Sequence, residues 1–387
     1  MKSRNYAGVL SALLLSLAAC DKFDAPIPSP QAPPFVSLEQ VARLIASVPL
    51  EKEQVGEVHD AAGSSASNGY DEEYRMQDLF AAPGSGVGED GSTKAAHYAR
   101  PLRDLLREAV LSTKSSEEET PEAWLDSLSV SDVQIYWPFY DSWDGESLPV
   151  VTYDPGDGAS SNEGYAFKAD GSVEKVMVDE QMASERPVWV VNRNSDADYR
   201  SLELRRREDP SWGTGGGEIL VKSDLSKLKT LVLRSFKANR QFDAWFAGGS
   251  EFFVKMAAVE DFTATTEAEL RLYEPSITDF MIVVRRKDVG KAIPFNAVLV
   301  SEWISSEVTG LSSCALMITE DDGGTRTSWK CSATVKYNSK AYGFDLEIPL
   351  YSRDDIVWRG ALTRSYIEKN NGTPSGFGDV ELVLELI

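Results

Sequence analysis

The chain predicts an α+β protein with an N-terminal helical segment, a β-rich middle domain and a C-terminal antiparallel β-sandwich of about eight strands. Three observations carry this. Up to about residue 111, apolar residues recur at helical spacing, as in Leu38, Val41, Leu44, Ile45 and Val48. From residue 121 the runs shorten and alternate with a period of two. In the last third, turn signals such as Asp322-Gly323 and Asn338-Ser339 separate strand-like runs.

The start of the chain is not part of that fold. Lys2 and Arg4 precede a run from Tyr6 to Ala19 that is apolar but for Ser11 and Ser16. A bilayer-spanning helix needs about 20 apolar residues; this shorter run fits the core of a secretory signal. It ends in Leu17-Ala18-Ala19-Cys20, which resembles the lipobox of bacterial lipoproteins. The resemblance implies a signal peptide over 1–19. Cys20 then becomes the first mature residue and carries thioether-linked diacylglycerol and a palmitate-type N-acyl chain. Several acyl chains together make a stable anchor in a lipid bilayer. Cys20-Asp21-Lys22-Phe23-Asp24 also resembles, in part, the surface-export signal of Bacteroidetes lipoproteins. That implies the cell envelope, with the outer membrane or cell surface favoured. Residues 25–34, APIPSPQAPP, hold five prolines in ten positions and form a semi-rigid spacer, so 20–36 reads as lipidated Cys plus tether.

Residues 37–120 read as the helical segment with a charged linker, STKSSEEET, at 112–120. Ser37 and Gln40 form a capping box before the first apolar stripe, and Leu102, Leu105, Leu106, Ala109 and Val110 form another after Pro101. GSSASNGYDEEY and APGSGVGEDGS, between them, read as loops. The middle domain, 121–239, shows strand-like runs at 133–138, 148–154, 163–169, 172–179 and 187–192, with Asp170-Gly171 as a hairpin turn. Residues 240–387 hold eight runs, beginning near 251, 280, 295, 312, 324, 341, 356 and 378. That number of alternating strands predicts the sandwich.

Charge excludes one class of partner. The formal charge is −22, and cleavage after Ala19 removes Lys2 and Arg4, leaving −24. Such a surface repels nucleic acid and favours cations or basic partners. With Cys20 acylated, Cys314 and Cys331 remain as an even pair in an oxidising compartment. A two-residue turn at Asp322-Gly323 sets Ile318 against Thr327, Leu316 against Trp329 and Cys314 against Cys331. That spacing predicts a disulfide across a hairpin; two buried thiols are the alternative. A turn at Asn338-Ser339 sets Trp329 against Ile348, Cys331 against Leu346 and Val335 against Tyr342.

Extending this second register brings Asp322 beside Asp355. Glu320, Asp321, Asp322, Asp354 and Asp355 are then expected to cluster at one end of the sandwich. Clustered loop carboxylates suit Ca²⁺, which takes six to eight oxygen ligands, and acidic turns on an acidic surface are the plainer reading. RDDIVWRG, 353–360, loosely resembles the acidic-loop segment of C2-like domains, which implies the same ion. Asn192, Asn194, Asp196 and Asp198 alternate as in calcium loops but lack the glycine and distal Glu of an EF-hand. YWPFYDSWDG, 136–145, concentrates aromatics. Exposed, Trp137, Tyr140 and Trp143 form a platform for a glycan or peptide; buried, they form a core corner. His59 and His97 are the only histidines, too few for a typical catalytic zinc site, and no G-x-S-x-G elbow occurs.

The expectation is a lipid-anchored envelope protein with a binding or structural role, calcium-dependent through the acidic end. Its partner is a glycan, a peptide or another envelope protein. The alternative is a hydrolase of envelope or extracellular polymers using a carboxylate pair.

Overall fold

A computed structural model describes residues 36–81, 98–112, 120–156, 158–168, 170–194, 199–209, 228–259, 266–271, 275–304 and 310–387. All lie within one compact unit, residues 34–387. Residues 1–35, on which the expected signal peptide, the lipidated Cys20 and nearly all of the expected tether fall, lie outside the described residues, as do His97, Asp196 and Asp198.

Five helices open the unit. The Ser37 side chain accepts the Gln40 N–H and starts α1 (Leu38–Ser47), which buries Val41, Ala42, Ile45 and Ala46. α2 (Lys52–Ser67) runs through Gly63 to Ser67, a stretch expected as loop. Glu51 and Gln54 close a reciprocal capping box there, and Val55, Val58, Ala62 and Ala66 prolong one buried stripe. Tertiary burial along that stripe outweighs the helix cost of Gly and Ser, about 1 kcal/mol or less per residue. α3 (Met76–Phe80), α4 (Leu102–Ser112) and α5 (Pro121–Ser129) follow. The Glu57 carboxylate receives the Leu102 N–H at 2.7 Å, an anion at the positive end of α4.

These helices cover one face of a six-stranded sheet of β1 (Glu73–Arg75), β2 (Val133–Tyr136), β3 (Val150–Tyr153), β4 (Ser161–Phe167), β5 (Val173–Asp179) and β6 (Val188–Arg193). A short α6 (Glu180–Glu185) precedes β6. The order is β1-β2-β6-β3-β4-β5, and every pair is antiparallel except β3 with β6. The central strands β2, β3 and β6 are buried on both faces, and the strand period of two sorts their side chains between them. Trp189 and Val191 of β6 join the helices. Val188 and Val190 point to the opposite face, where Trp245 and Phe246 cover them.

Among the described residues after β6 come α7 (Leu202–Glu208), α8 (Glu267–Leu270), α9 (Arg364–Lys369) and ten strands. The strands are β7 (Leu228–Ala238), β8 (Ser250–Ala258), β9 (Ser276–Val284), β10 (Ile293–Ile304), β11 (Gly310–Glu320), β12 (Arg326–Tyr337), β13 (Lys340–Tyr351), β14 (Asp355–Thr363), β15 (Pro374–Phe377) and β16 (Val380–Leu386). One sheet has the order β10-β7-β16-β15; another has β13-β12-β11-β8-β9, with β14 paired to β11. Phe236, Leu382 and Leu384 from the first and Phe252, Val254, Leu316 and Ile318 from the second share one core. Among the described residues no helix is long and apolar enough to cross a membrane.

Each expected run after residue 240 contains a strand, and the β12–β13 register is the one the Asn338-Ser339 turn sets, with Trp329 against Ile348 and Cys331 against Leu346. The disulfide is a correction. β11 pairs with β12 only from Gly310 to Ser313, then exchanges it for β14, so Cys314 faces Leu362 instead of Cys331. Cys314 is buried in the core between the two sheets. Cys331 packs with Trp329, Ile348 and Leu350 against Ala315 and Met317, the side chains of β11 that look the other way. Both are free thiols. Burial pushes the Cys314 thiol up to about 12. A thiol reagent should therefore modify Cys331 of the native mature chain and reach Cys314 only on unfolding. Reductant should leave the denaturation midpoint unchanged, whereas a bridge would make reduction cost about 3 kcal/mol.

Candidate functional site

The acidic end of the six-stranded sheet of β8, β9 and β11–β14 is built by three chain segments. Glu320 is the last residue of β11, opposite Phe252 of β8 and Asp355 of β14. Alternation from Cys314, Leu316 and Ile318 carries it onto the core-facing side, and it is fully buried. The connection to β12 then turns back over it. Asp321 donates its backbone N–H to the Glu251 carbonyl at 3.0 Å, and its carboxylate accepts the Gly323 N–H at 2.8 Å. Positive φ at Gly323 and Gly324 makes this a longer loop than the two-residue turn expected. On the far side the Asp354 carboxylate accepts the Tyr351 N–H at 2.8 Å.

The third segment is the loop between β7 and β8, which supplies Asp243. Trp245 and Phe246 of this loop insert into the outer face of the first sheet, and the Trp245 indole donates to the Ser160 carbonyl at 3.0 Å. The Asn192 amide donates to the carbonyls of Phe246 and Ala247 at 3.0 and 2.6 Å. Asp71 accepts the Gly249 N–H at 2.8 Å. Its carboxylate sits so close that a Cβ on Gly248, at φ +139°, would lie 2.7 Å from it. Arg286 donates to the carbonyls of Asp243 and Gly248 at 2.8–3.0 Å. Held this way, Asp243 brings a carboxylate oxygen within 4.8 Å of one from Glu320 and one from Asp322.

Burial is the first cause of the electrostatics here. It raises the Glu320 carboxyl far above the usual carboxylate range, reinforced by the adjoining Asp243 carboxyl and the charge of Asp322. Neither Glu320 oxygen receives a hydrogen bond of normal geometry; the Ser250 hydroxyl only tempers the rise. Asp243 is raised too, chiefly by burial, with Glu320 and Arg286 opposing. Two carboxyls this close and this buried do not both carry charge readily. Asp322 is raised by partial burial and by Asp355 and Asp321, Asp354 by burial and then by Asp321. Further along the same seam, burial raises Asp71 and Glu72.

The structure thus gathers Glu320, Asp321, Asp322, Asp354 and Asp355 at one end of a sheet, and it adds Asp243. Sequence reasoning missed that residue because its carboxylate arrives from 77 positions before Glu320 with no local signature. One signal was legible: Glu320 continues an inward apolar stripe. The other expectations separate. Asn192 ties the Phe246 loop to the first sheet, and the Asn194 amide donates to Glu73 and Gln134 at 2.9 Å. Trp137 is buried against Trp189, with Trp143 and Tyr140 half-buried beside it. The His59 ring stacks among Trp137, Tyr140 and Trp143 at centroid distances of 5.3–5.8 Å. RDDIVWRG supplies β14 and the turn before it.

No family model matches the chain, and no curated protein or solved structure is significantly similar to it.

A raised carboxyl holds more protons in the folded than in the unfolded state between its two pKa values. Its stabilising contribution is complete at low pH and is lost as pH rises past about 4 toward the folded value. Glu320, Asp243, Asp71 and Glu72 all act in this sense. In chelator, urea denaturation should therefore give its highest midpoint near pH 5 and a lower one at pH 8. Glu320→Gln should stabilise the fold at pH 8 by about 1–3 kcal/mol and flatten the profile. A midpoint that climbs from pH 5 to 8 would contradict this.

Proposed function

We propose that the chain is a lipid-anchored protein of the bacterial cell envelope with a binding or structural role. The observation that carries it is Leu17-Ala18-Ala19-Cys20 at the end of a short apolar run, followed by a five-proline spacer. In this reading 1–19 is a signal peptide, 20–36 the acylated Cys and tether, and 37–120 a helical segment. Residues 121–239 are a β-rich middle domain and 240–387 an antiparallel β-sandwich. The shared core of the last two sheets supports the sandwich. The membrane partner is the bilayer holding Cys20, at the outer membrane or cell surface. The acidic end, with Ca²⁺ as its ligand, is the contact face for an envelope protein, peptide or glycan. A mature charge of −24 argues against nucleic acid.

The hydrolase reading has one observation in its favour, a close carboxyl pair of raised pKa in Asp243 and Glu320. Against it, Glu320 is fully buried, whereas a glycosidase needs both carboxyls open to a sugar, about 5 Å or more apart.

Intact-mass analysis of the native protein should show residues 1–19 removed and Cys20 carrying diacylglycerol and an acyl chain. Cys20→Ala should abolish membrane association while leaving the folded body intact by circular dichroism. A free thiol at Cys20 in native membranes would overturn the anchor.

A further inference from the structure

Glu320 poses a problem that hydrogen bonding in the protein does not solve. It is fully buried, and both of its oxygens lack a donor. An oxygen of Asp243, Oδ2, is likewise buried without a partner. Removing such groups from water without compensation costs several kcal/mol. The buried Arg286 donates to the carbonyls of Asp243 and Gly248 and pairs with Glu180 at 3.8 Å. What lies around the orphaned Glu320 is more carboxylate: Asp243 on one side and the exposed Asp322 on the other, with one oxygen from each of the three within 4.8 Å of the others.

We propose that Asp243, Glu320 and Asp322 bind one hard divalent cation, Ca²⁺ before Mg²⁺, at the end of β11. The donor set is all oxygen, which selects hard ions over zinc or copper. Oxygens that all lie within 4.8 Å of one another can reach a single ion together, and Ca²⁺ accepts irregular sets of six to eight oxygens, whereas Mg²⁺ demands near-ideal octahedral geometry. Asp322 stands at the solvent side and leaves that flank open for the waters that complete six to eight ligands. The ion takes the place of the proton between Asp243 and Glu320, and that proton leaves to solvent. It also ties the β7–β8 loop to the β11–β12 loop, so the bound state is the stiffer one. The inference rests on the cation-dependent contact face proposed above and names its donors. It does not depend on acylation of Cys20.

The test uses the mature acylated chain in detergent, stripped with chelator and then titrated with CaCl₂ or MgCl₂ at constant ionic strength. Isothermal titration should show a single site for Ca²⁺. The thermal midpoint should rise by several degrees at a hundredfold excess over the dissociation constant. Asp322→Asn, an exposed change that leaves the fold intact, should weaken Ca²⁺ at least about tenfold. Glu320→Gln should abolish binding while raising stability in chelator, and Asp126→Asn, on the exposed face of α5, should change nothing. Absence of heat and of any midpoint shift at millimolar Ca²⁺ would overturn the site. Binding undiminished in both Asp322→Asn and Glu320→Gln would do the same. An unacylated Cys20 in the same preparation would sink the anchor and leave these readouts standing.

Discussion

The burial of two adjacent aromatic rings fixes the loop on which the acidic end depends. Trp245 and Phe246 leave the loop between β7 and β8 and pack against Val188 and Val190 of the first sheet. At about 150–250 Å² per ring and about 25 cal/mol per Å², that burial supplies several kcal/mol for each. The rings fix the loop, and the loop fixes the carboxylate. The hydrogen bonds of Asn192, Asp71 and Arg286 then register the loop without setting its affinity for the sheet.

Much of the architecture was legible because it is local. Strand alternation and turn chemistry located the runs of the middle region and the later strands. The β12–β13 register was readable because Asn338 and Ser339 both accept a positive φ, 47° and 67°, which closes a two-residue hairpin and leaves no freedom in the pairing. The helix α2 was less legible, since its Gly-Ser end looks like loop until the cluster of Val55, Val58 and Ala62 beneath it is known.

Partner choice among strands was not legible at all. Nothing in the sequence of β11 records that it leaves β12 after Ser313 for β14, because both offer alternating side chains of similar kind. The acidic end shows the same division. Its five neighbours in sequence could be gathered by register, and Asp243 could not, being delivered by a hydrophobic event in another sheet. The residue that did carry a readable sign was Glu320, a charge at a position where the stripe Cys314, Leu316, Ile318 calls for an apolar side chain. A violation of pattern marked the site better than the abundance of acids did.

The exchange of β12 for β14 beside β11 also separates the two thiols. With Cys314 and Cys331 on opposite sides of a sheet, no disulfide between them clasps the described fold. The described strands are held instead by packing and backbone pairing.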